Sequence, residues 1–132
     1  MDHAGDAETT RVLSGVRPLW FDDWYDRPLT GIAEFEGEQF WFDAVWDEVR
    51  DNWSEPRCLV LRRIPDSELA RQWTVHRDFE RYVSTRHCRH DGTAEVVQRP
   101  EAEWHLFFDH HPPESRPDYS RYPSAGTFIW RG

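Results

Sequence analysis

LTGIAEFEGEQFWFDAVW, residues 29–46, is the stretch that decides the fold, because it has the pattern of a β-hairpin. A two-residue loop at Gly37-Glu38 fits a type II′ turn, which takes glycine at its first central position. The facing pairs in that register are Phe35–Phe40, Ala33–Phe42, Gly31–Ala44 and Leu29–Trp46. Side chains alternate along a strand, so these eight residues are predicted to share one face. The opposite face is predicted to be mainly polar, although it also carries Trp41.

The rest of the chain predicts an α+β fold with a small antiparallel sheet. Residues 57–64 contain the continuous apolar run Cys58–Leu61, which is typical of a covered strand. Residues 66–83 repeat apolar side chains with the 3.6 period of a helix that packs on one face of the sheet. Asp66 is the expected N-cap residue of that helix. Proline at position 100 opens a second short helix, predicted over 100–109.

Five further segments complete the predicted organisation. Residues 1–15 lack periodicity and are predicted to form a mobile acidic tail, followed by a single domain over 16–132. The apolar segment 16–25 is expected to pack over the hairpin as a strand or a helical turn. Residues 84–92 are predicted as a loop and 93–99 as a short strand. Residues 127–131 could add an edge strand.

Composition predicts a soluble, cytoplasmic protein. The chain has 132 residues, of which 38% are hydrophobic and 31% charged, as in folded globular domains. No apolar run approaches the roughly 20 residues that a membrane helix needs, and the acidic N-terminus does not resemble a signal peptide. All 16 basic residues are arginine, which favours a GC-rich bacterial genome. Two cysteines do not make a disulfide framework.

The charge distribution predicts a protein partner with a basic surface. The net charge is −9, which argues against general nucleic-acid binding. Residues 1–56 hold 14 acids against 4 arginines, and an acidic face with an aromatic anchor would suit electrostatic steering. The predicted partner-binding residues are Glu34, Glu36, Glu38, Trp41, Asp43, Asp47 and Glu48. For Trp41 two alternatives stay open: an exposed anchor, or a ring covered by a second layer such as the 16–25 segment.

A histidine- and cysteine-rich region suggests a zinc site as an alternative. The candidate ligands are His87, Cys88, His90, His105 and His110. These residue types bind zinc, but none of the standard ligand spacings is present. Cys88 is interpreted as an exposed loop cysteine; the alternative is a reactive thiolate, because its His and Arg neighbours would lower a thiol pKa. His76, beside the buried stripe of the first helix, is interpreted as a core histidine with one hydrogen-bond partner. The cluster Asp22, Asp23 and Asp26 is interpreted as turn and capping residues rather than as cation ligands.

These observations favour a non-enzymatic interaction protein of the immunity, antitoxin or accessory-inhibitor kind, with no cofactor. The chain contains no phosphate-binding loop, nucleophile elbow or Walker motif. One alternative is a small metal- or thiol-dependent enzyme that uses the His87–His111 region. Another is an acidic mimic of nucleic acid, for which the seven acids between 34 and 51 would provide the carboxylates.

Overall fold

The structure is a computed structural model that describes residues 11–25, 27–89, 93–112 and 116–130, with the side chains of 23–25 left out. It confirms the α+β class. The strands are β1 (Arg17–Tyr25), β2 (Arg27–Phe35), β3 (Glu38–Ala44), β4 (Trp46–Asp47), β5 (Asn52–Trp53), β6 (Cys58–Arg62), β7 (Ser84–Cys88), β8 (Ala94–Gln98) and β9 (Ser124–Ile129). The helices are α1 (Asp66–Tyr82) and α2 (His105–Phe108), with a 3-10 turn (Glu101–Glu103) before α2.

The hairpin forms with a turn one position earlier than predicted. Glu36 and Gly37 occupy the loop, with φ angles of 52° and 79°, as a type I′ turn requires. Ala33 therefore pairs with Phe40, and Gly31 with Phe42. The four predicted pairs are wrong by two residues, and Trp46 lies beyond the end of β3 in a separate strand. Because a shift of two keeps the paired side chains on their face, the predicted face is buried at Ala33, Phe40 and Phe42, whereas Trp46 is exposed.

The main sheet is larger than the sequence indicated. It has seven strands in the order β8-β7-β1-β2-β3-β6-β9, and the neighbouring strands are antiparallel. Residues 84–88, predicted as loop, form β7 and join β8 to the rest of the sheet. Residues 16–25, left open between strand and helical turn, form β1 beside β2. The predicted strands 57–64, 93–99 and 127–131 correspond to β6, β8 and β9 with shifted ends.

One face of the sheet encloses an aromatic core. Phe21, Phe40 and Phe42 are almost fully buried there with Leu59 and Phe128. Ala94 from the β8 edge and Phe128 from the β9 edge pack in the same cluster, so the sheet curves around it. The opposite face is the outer, convex one.

Helix α1 covers the convex face and buries a second core. Trp20, Ile32 and Trp41, one from each of the first three strands, pack there with Ile64 and Tyr119. Trp41 is only 7% exposed, and its ring meets that of Tyr119 edge to face at a centroid distance of 5.1 Å. The covered alternative for Trp41 is therefore the correct one. The cover comes from α1 and the Tyr119 segment, not from residues 16–25.

Both helices differ in detail from the prediction. Pro65, not Asp66, holds the N-cap position of α1, and no side chain caps this end. Asp66 and Glu68 lie in the first turn, where the positive end of the helix dipole favours acids. The predicted second helix over 100–109 is shorter and is split into the 3-10 turn and α2.

Residues 11–15 belong to the fold rather than to the predicted tail. The amide of Leu13 donates to the Thr127 carbonyl at 2.7 Å, and the amide of Thr127 donates to the Arg11 carbonyl at 2.7 Å. Leu13 is also buried in the concave core. The prediction of a mobile tail is therefore wrong for 11–15, and residues 1–10 lie outside the described residues. In the parts of the chain described, no helix is long and apolar enough to span a membrane.

Candidate ligand-binding cleft

A cleft of about 660 Å³ lies on the convex side of the sheet, next to α1. Its floor comes from Asp22, Thr30 and Trp41 on strands β1, β2 and β3. One wall is formed by α1 through residues such as Val75 and Phe79. The opposite wall comes from α2, from the residues that follow it, and from 116–117. The cleft lies where α1, α2 and residues 116–117 surround this part of the sheet, with α1 and α2 in contact through Phe79 and Phe107.

Aromatic rings make the walls of the cleft rigid. The rings of Phe79 and Phe107 meet edge to face at 5.3 Å, and those of Phe107 and Phe108 at 5.1 Å. Such edge-to-face pairs contribute about 0.5–1.5 kcal/mol beyond the contribution of their buried area. Phe107 is buried, whereas Phe108 is 36% exposed. Phe107 and Phe108 both line the cleft.

Among the described residues that line the cleft, arginines outnumber carboxylates. Arg71 and Arg116 line it together with His110 and His111. The acids next to these groups are engaged: Glu68 accepts from the Tyr119 hydroxyl at 2.8 Å, and Asp78 lies 3.1 Å from Nε2 of His111. Burial, together with the nearby Glu68 carboxylate, raises the pKa of Tyr119, so its hydroxyl remains a donor.

Next to the cleft, His76 of α1 is buried between two carboxylates. The ring is 1% exposed and stacks on Trp20 at 4.0 Å with an interplanar angle of 8°. Its Nδ1 lies 3.5 Å from Oδ1 of Asp22, and its Nε2 lies 3.3 Å from Oε1 of Glu80. The predicted core histidine is confirmed, with two acidic neighbours instead of one partner.

The row of alternating acids and histidines continues to the surface. The second oxygen of Glu80 lies 3.4 Å from Nδ1 of His87, whose Nε2 lies 3.4 Å from Glu95. Glu95 is paired with Arg89, which lowers the pKa of this carboxyl. At the Asp22 end of the row, Nδ1 of His76 and Oδ1 of Asp22 lie 3.5 Å apart and do not form a hydrogen bond.

The candidate zinc ligands do not converge. His87 lies in β7 between Glu80 and Glu95, whereas His105 and His110 use Nδ1 to contact carbonyls of their own helical region. Across the described ranges, no three His, Cys, Asp or Glu side chains are placed to hold a metal ion. His90 lies outside those ranges. The structure therefore gives no support to the zinc alternative.

Cys88 is not an activated thiol. Burial raises its pKa to about 12, because the thiolate would lose hydration that its Arg and His neighbours in sequence do not replace. Both interpretations of Cys88 were therefore wrong, because the residue is partly buried and ends strand β7. Cys88 packs instead against the concave core.

We expect alkylation of Cys88 by iodoacetamide to be very slow at neutral pH. With a pKa of about 12, about one thiol in ten thousand is ionised at pH 8, so the rate should rise about tenfold per pH unit up to pH 10. Mass spectrometry of the labelled peptide separates Cys88 from Cys58. Rapid labelling at pH 7 with a plateau below pH 9 would show that the thiol is activated after all.

The predicted acidic surface is largely neutralised. Glu34 pairs with Arg17 at 3.1 Å, Glu38 with Arg63 at 2.9 Å, and Asp43 with Arg62 at 2.8 Å. The Arg63 hydrogen bond lowers the pKa of Glu38, whereas burial raises that of Asp43 despite Arg62. Asp47 accepts the backbone amides of Val49 and Arg50. Glu36 and Glu48 are exposed, and Trp41 is buried.

A second exposed feature is the short hairpin β4–β5, which the sequence did not predict. Trp46 is 46% exposed, and its ring meets Trp53 edge to face at 5.1 Å. Val49 near the tip is 98% exposed. Asp47 and Glu48 lie in the same hairpin, so an aromatic anchor next to acids exists here rather than at Trp41.

Comparison with known proteins gives no match to a family model, to a curated protein or to a solved structure. Function is therefore inferred from geometry and chemistry alone.

Proposed function

We propose that this protein binds a small molecule with an apolar body in the cleft between α1 and α2. The observation that supports this most is the cleft itself, whose volume of about 660 Å³ falls within the range of about 300–1,000 Å³ typical of ligand sites. Its walls are apolar rings braced by one another, with a few polar groups that could orient a ligand. No reaction is assigned to the site.

The cleft is open to a ligand without rearrangement of the sheet. Trp41 and Thr30 in its floor belong to strands held by continuous pairing, and Phe79 belongs to the longest helix. Floor and wall are therefore fixed by the fold, so a ligand would not have to order them. Preorganisation of this kind reduces the entropic cost of binding.

Filling the cleft should abolish binding. Val75→Phe adds a ring to the α1 wall, whereas Ala70→Phe adds the same ring at an exposed α1 position outside the lining. In calorimetric titrations with neutral and charged naphthalene derivatives, the unmodified protein should bind at least one probe with a Kd of about 1 mM or tighter, as expected for ligands of about a dozen heavy atoms.

The matched variants decide where that probe binds. We expect Val75→Phe to weaken binding at least tenfold and Ala70→Phe to leave it unchanged, with both variants folded by circular dichroism. Equal loss in both variants, or no loss in Val75→Phe, would place the probe elsewhere. Failure of every probe to bind the unmodified protein would reject the proposal.

A second candidate function is docking on a protein partner with a basic surface, of the immunity, antitoxin or inhibitor kind. The exposed Trp46 and Val49 favour it, because tryptophan is prominent among interface hot spots and Asp47 and Glu48 would attract a basic surface. The docking surface is then centred on the β4–β5 hairpin, with Glu48 as its exposed acid; Glu36 lies in the turn at the other end of β3. Trp41 is replaced by Trp46 as the anchor.

The double variant Trp46→Ala/Glu48→Arg should eliminate such docking. In affinity capture from a bacterial extract, proteins retained by the unmodified chain should be lost from the double variant and should elute as salt is raised. Glu101→Arg, an exposed acid in the 3-10 turn, is the control for reversing one charge. Retention of the same proteins by the double variant would exclude the hairpin as the docking site.

A further inference from the structure

We infer that the ligand of the cleft is a small aromatic acid, in which a ring occupies the apolar interior and a carboxylate faces the arginines. This inference rests on the proposed function and adds the chemical class of the ligand. It depends on the charges around the cleft, on the state of the neighbouring acids and on the shape of the walls.

The charge of the lining is opposite to that of the whole chain. The sequence has 25 acids and 16 arginines. Among the described residues that line the cleft, however, Arg71 and Arg116 stand against a single carboxylate, that of Asp22. His110 and His111 also line the cleft, with Nδ1 of His110 in contact with the Leu106 carbonyl and Nε2 of His111 in contact with Asp78. Glu68 beside Arg71 and Asp78 beside His111 offset part of this charge, so the attraction of an anion depends on the arginines that face the cleft.

Among the described lining residues, the one that carries a carboxylate, Asp22, lies next to Arg86 and His76. Arg86 donates a hydrogen bond to the backbone carbonyl of Asp22, and the same guanidinium lies over the Phe79 ring at 5.0 Å. His76 lies on the other side of the Asp22 carboxylate. The nearby guanidinium of Arg86 thus offsets part of the negative charge of Asp22. The repulsion between Asp22 and an anion bound at the arginines is reduced accordingly.

Arg71 can turn from its protein partner to a ligand. Its NH1 lies 3.5 Å from Glu68, with half of the Arg71 side chain exposed. An exposed pair at this separation contributes little, and Glu68 keeps its shorter bond from the Tyr119 hydroxyl. A guanidinium can bind a carboxylate through two parallel hydrogen bonds, and the apolar walls beside it strengthen that pair by excluding water.

The walls favour a ring over a flexible chain. Trp41, Phe79, Phe107 and Phe108 all line the cleft, and their contacts with one another or with Tyr119 are edge to face. A planar aromatic ligand extends this arrangement, since ring faces and edges attract each other in offset and T-shaped geometries.

Three probes that share one ring and differ in charge test the inference. They are 2-naphthoate, 2-naphthalenemethanol and 2-naphthylmethylammonium, each titrated calorimetrically into the full chain at pH 7.5 and low salt. We expect the anion to bind about tenfold or more tightly than the neutral alcohol, as a charge-assisted bidentate contact provides, and the cation to bind most weakly.

Arginine-to-glutamine variants test whether the preference for the anionic probe comes from Arg71 and Arg116. Arg71→Gln/Arg116→Gln should reduce the preference for the anion over the alcohol to less than about threefold while keeping alcohol binding. Arg81→Gln removes the same charge from an exposed α1 position outside the lining and should keep the full preference. Preference retained by the double variant would overturn the assignment.

The outcomes separate this inference from the proposed function. If the alcohol or the ammonium probe binds as tightly as naphthoate and Val75→Phe abolishes that binding, the cleft is a ligand site but the aromatic-acid class is wrong. If octanoate, an aliphatic acid, binds more tightly than naphthoate, the preference for a ring is wrong. If no probe binds, both fail.

Discussion

Replacing Trp41 by alanine is expected to lower the free energy of unfolding by about 3–5 kcal/mol, the range for removing a large buried ring. Trp41 is 7% exposed, packs between the sheet and α1, and meets Tyr119 edge to face. Removing it would leave a cavity under the helix that the paired strands β2 and β3 could not close. Urea denaturation followed by circular dichroism measures the change.

The matched control is Trp46→Ala, which removes the same side chain from the β4–β5 hairpin. Trp46 is 46% exposed, so we expect a change within about 1 kcal/mol, close to that of other surface substitutions. This pair distinguishes a core role for Trp41 from the interface role that the sequence allowed. Equal, small losses for both variants would contradict the packing described for Trp41.

Gly31→Ala is expected to destabilise the protein by about 3 kcal/mol or to prevent folding, because it overpacks a site that is bounded by backbone. A Cβ at position 31 would overlap the carbonyl oxygen of Trp20 and lie 2.7 Å from the ring of Phe42 and 2.9 Å from the Cα of Phe21. Strands β1 and β2 approach closely here, so neither side can move aside. Denaturant unfolding, or the soluble yield if unfolding cannot be measured, gives the effect.

Gly37→Ala separates this steric effect from the conformational one. Nothing lies within 4 Å of a Cβ at Gly37, but its φ is +79°, so alanine there should cost about 1 kcal/mol for the left-handed conformation alone. If Gly31→Ala costs no more than Gly37→Ala, the close approach of β1 to β2 at Gly31 is incorrect.

The hairpin shows how far a side-chain pattern determines structure. The alternation of Ala33, Phe40 and Phe42 identified the buried face correctly, because a strand has a period of two. The same period makes registers that differ by two residues equivalent for burial. The conformation of the turn residues decides between these registers. Glu36 adopts the left-handed conformation that the sequence analysis had assigned to glycine alone.

Strand β7, which the sequence analysis predicted as a loop, has no alternating hydrophobic pattern. Strand β7 reads STRHC and its side chains are mostly half-buried, so its strand character comes from pairing with β1 and β8 rather than from an apolar alternation. Edge strand β8 leaves Val96 and Val97 about half exposed. Tertiary pairing of this kind overrides local preference, and a single sequence does not reveal it.

The cleft could not be read from the sequence, because its lining comes from residues between 22 and 117 with no common spacing. Of the residues around the cleft, His76 was recognised as a core histidine. What the sequence could not show is that α1, α2 and residues 116–117 surround this part of the sheet. The charge of the lining could not be predicted either, because nothing in the sequence distinguishes Arg71 and Arg116 from the other arginines. Only the structure shows that both line the cleft.

Intermolecular nuclear Overhauser effects between 2-naphthoate and isotope-labelled protein test ligand binding in the cleft most directly. The measurement reports which protein hydrogens lie within about 5 Å of the bound ring. We predict contacts from the naphthyl hydrogens to the Val75 methyl groups and to the ring of Phe107. Contacts confined to Trp46 and Val49 in the β4–β5 hairpin, or none at a probe concentration of several millimolar, would contradict the account.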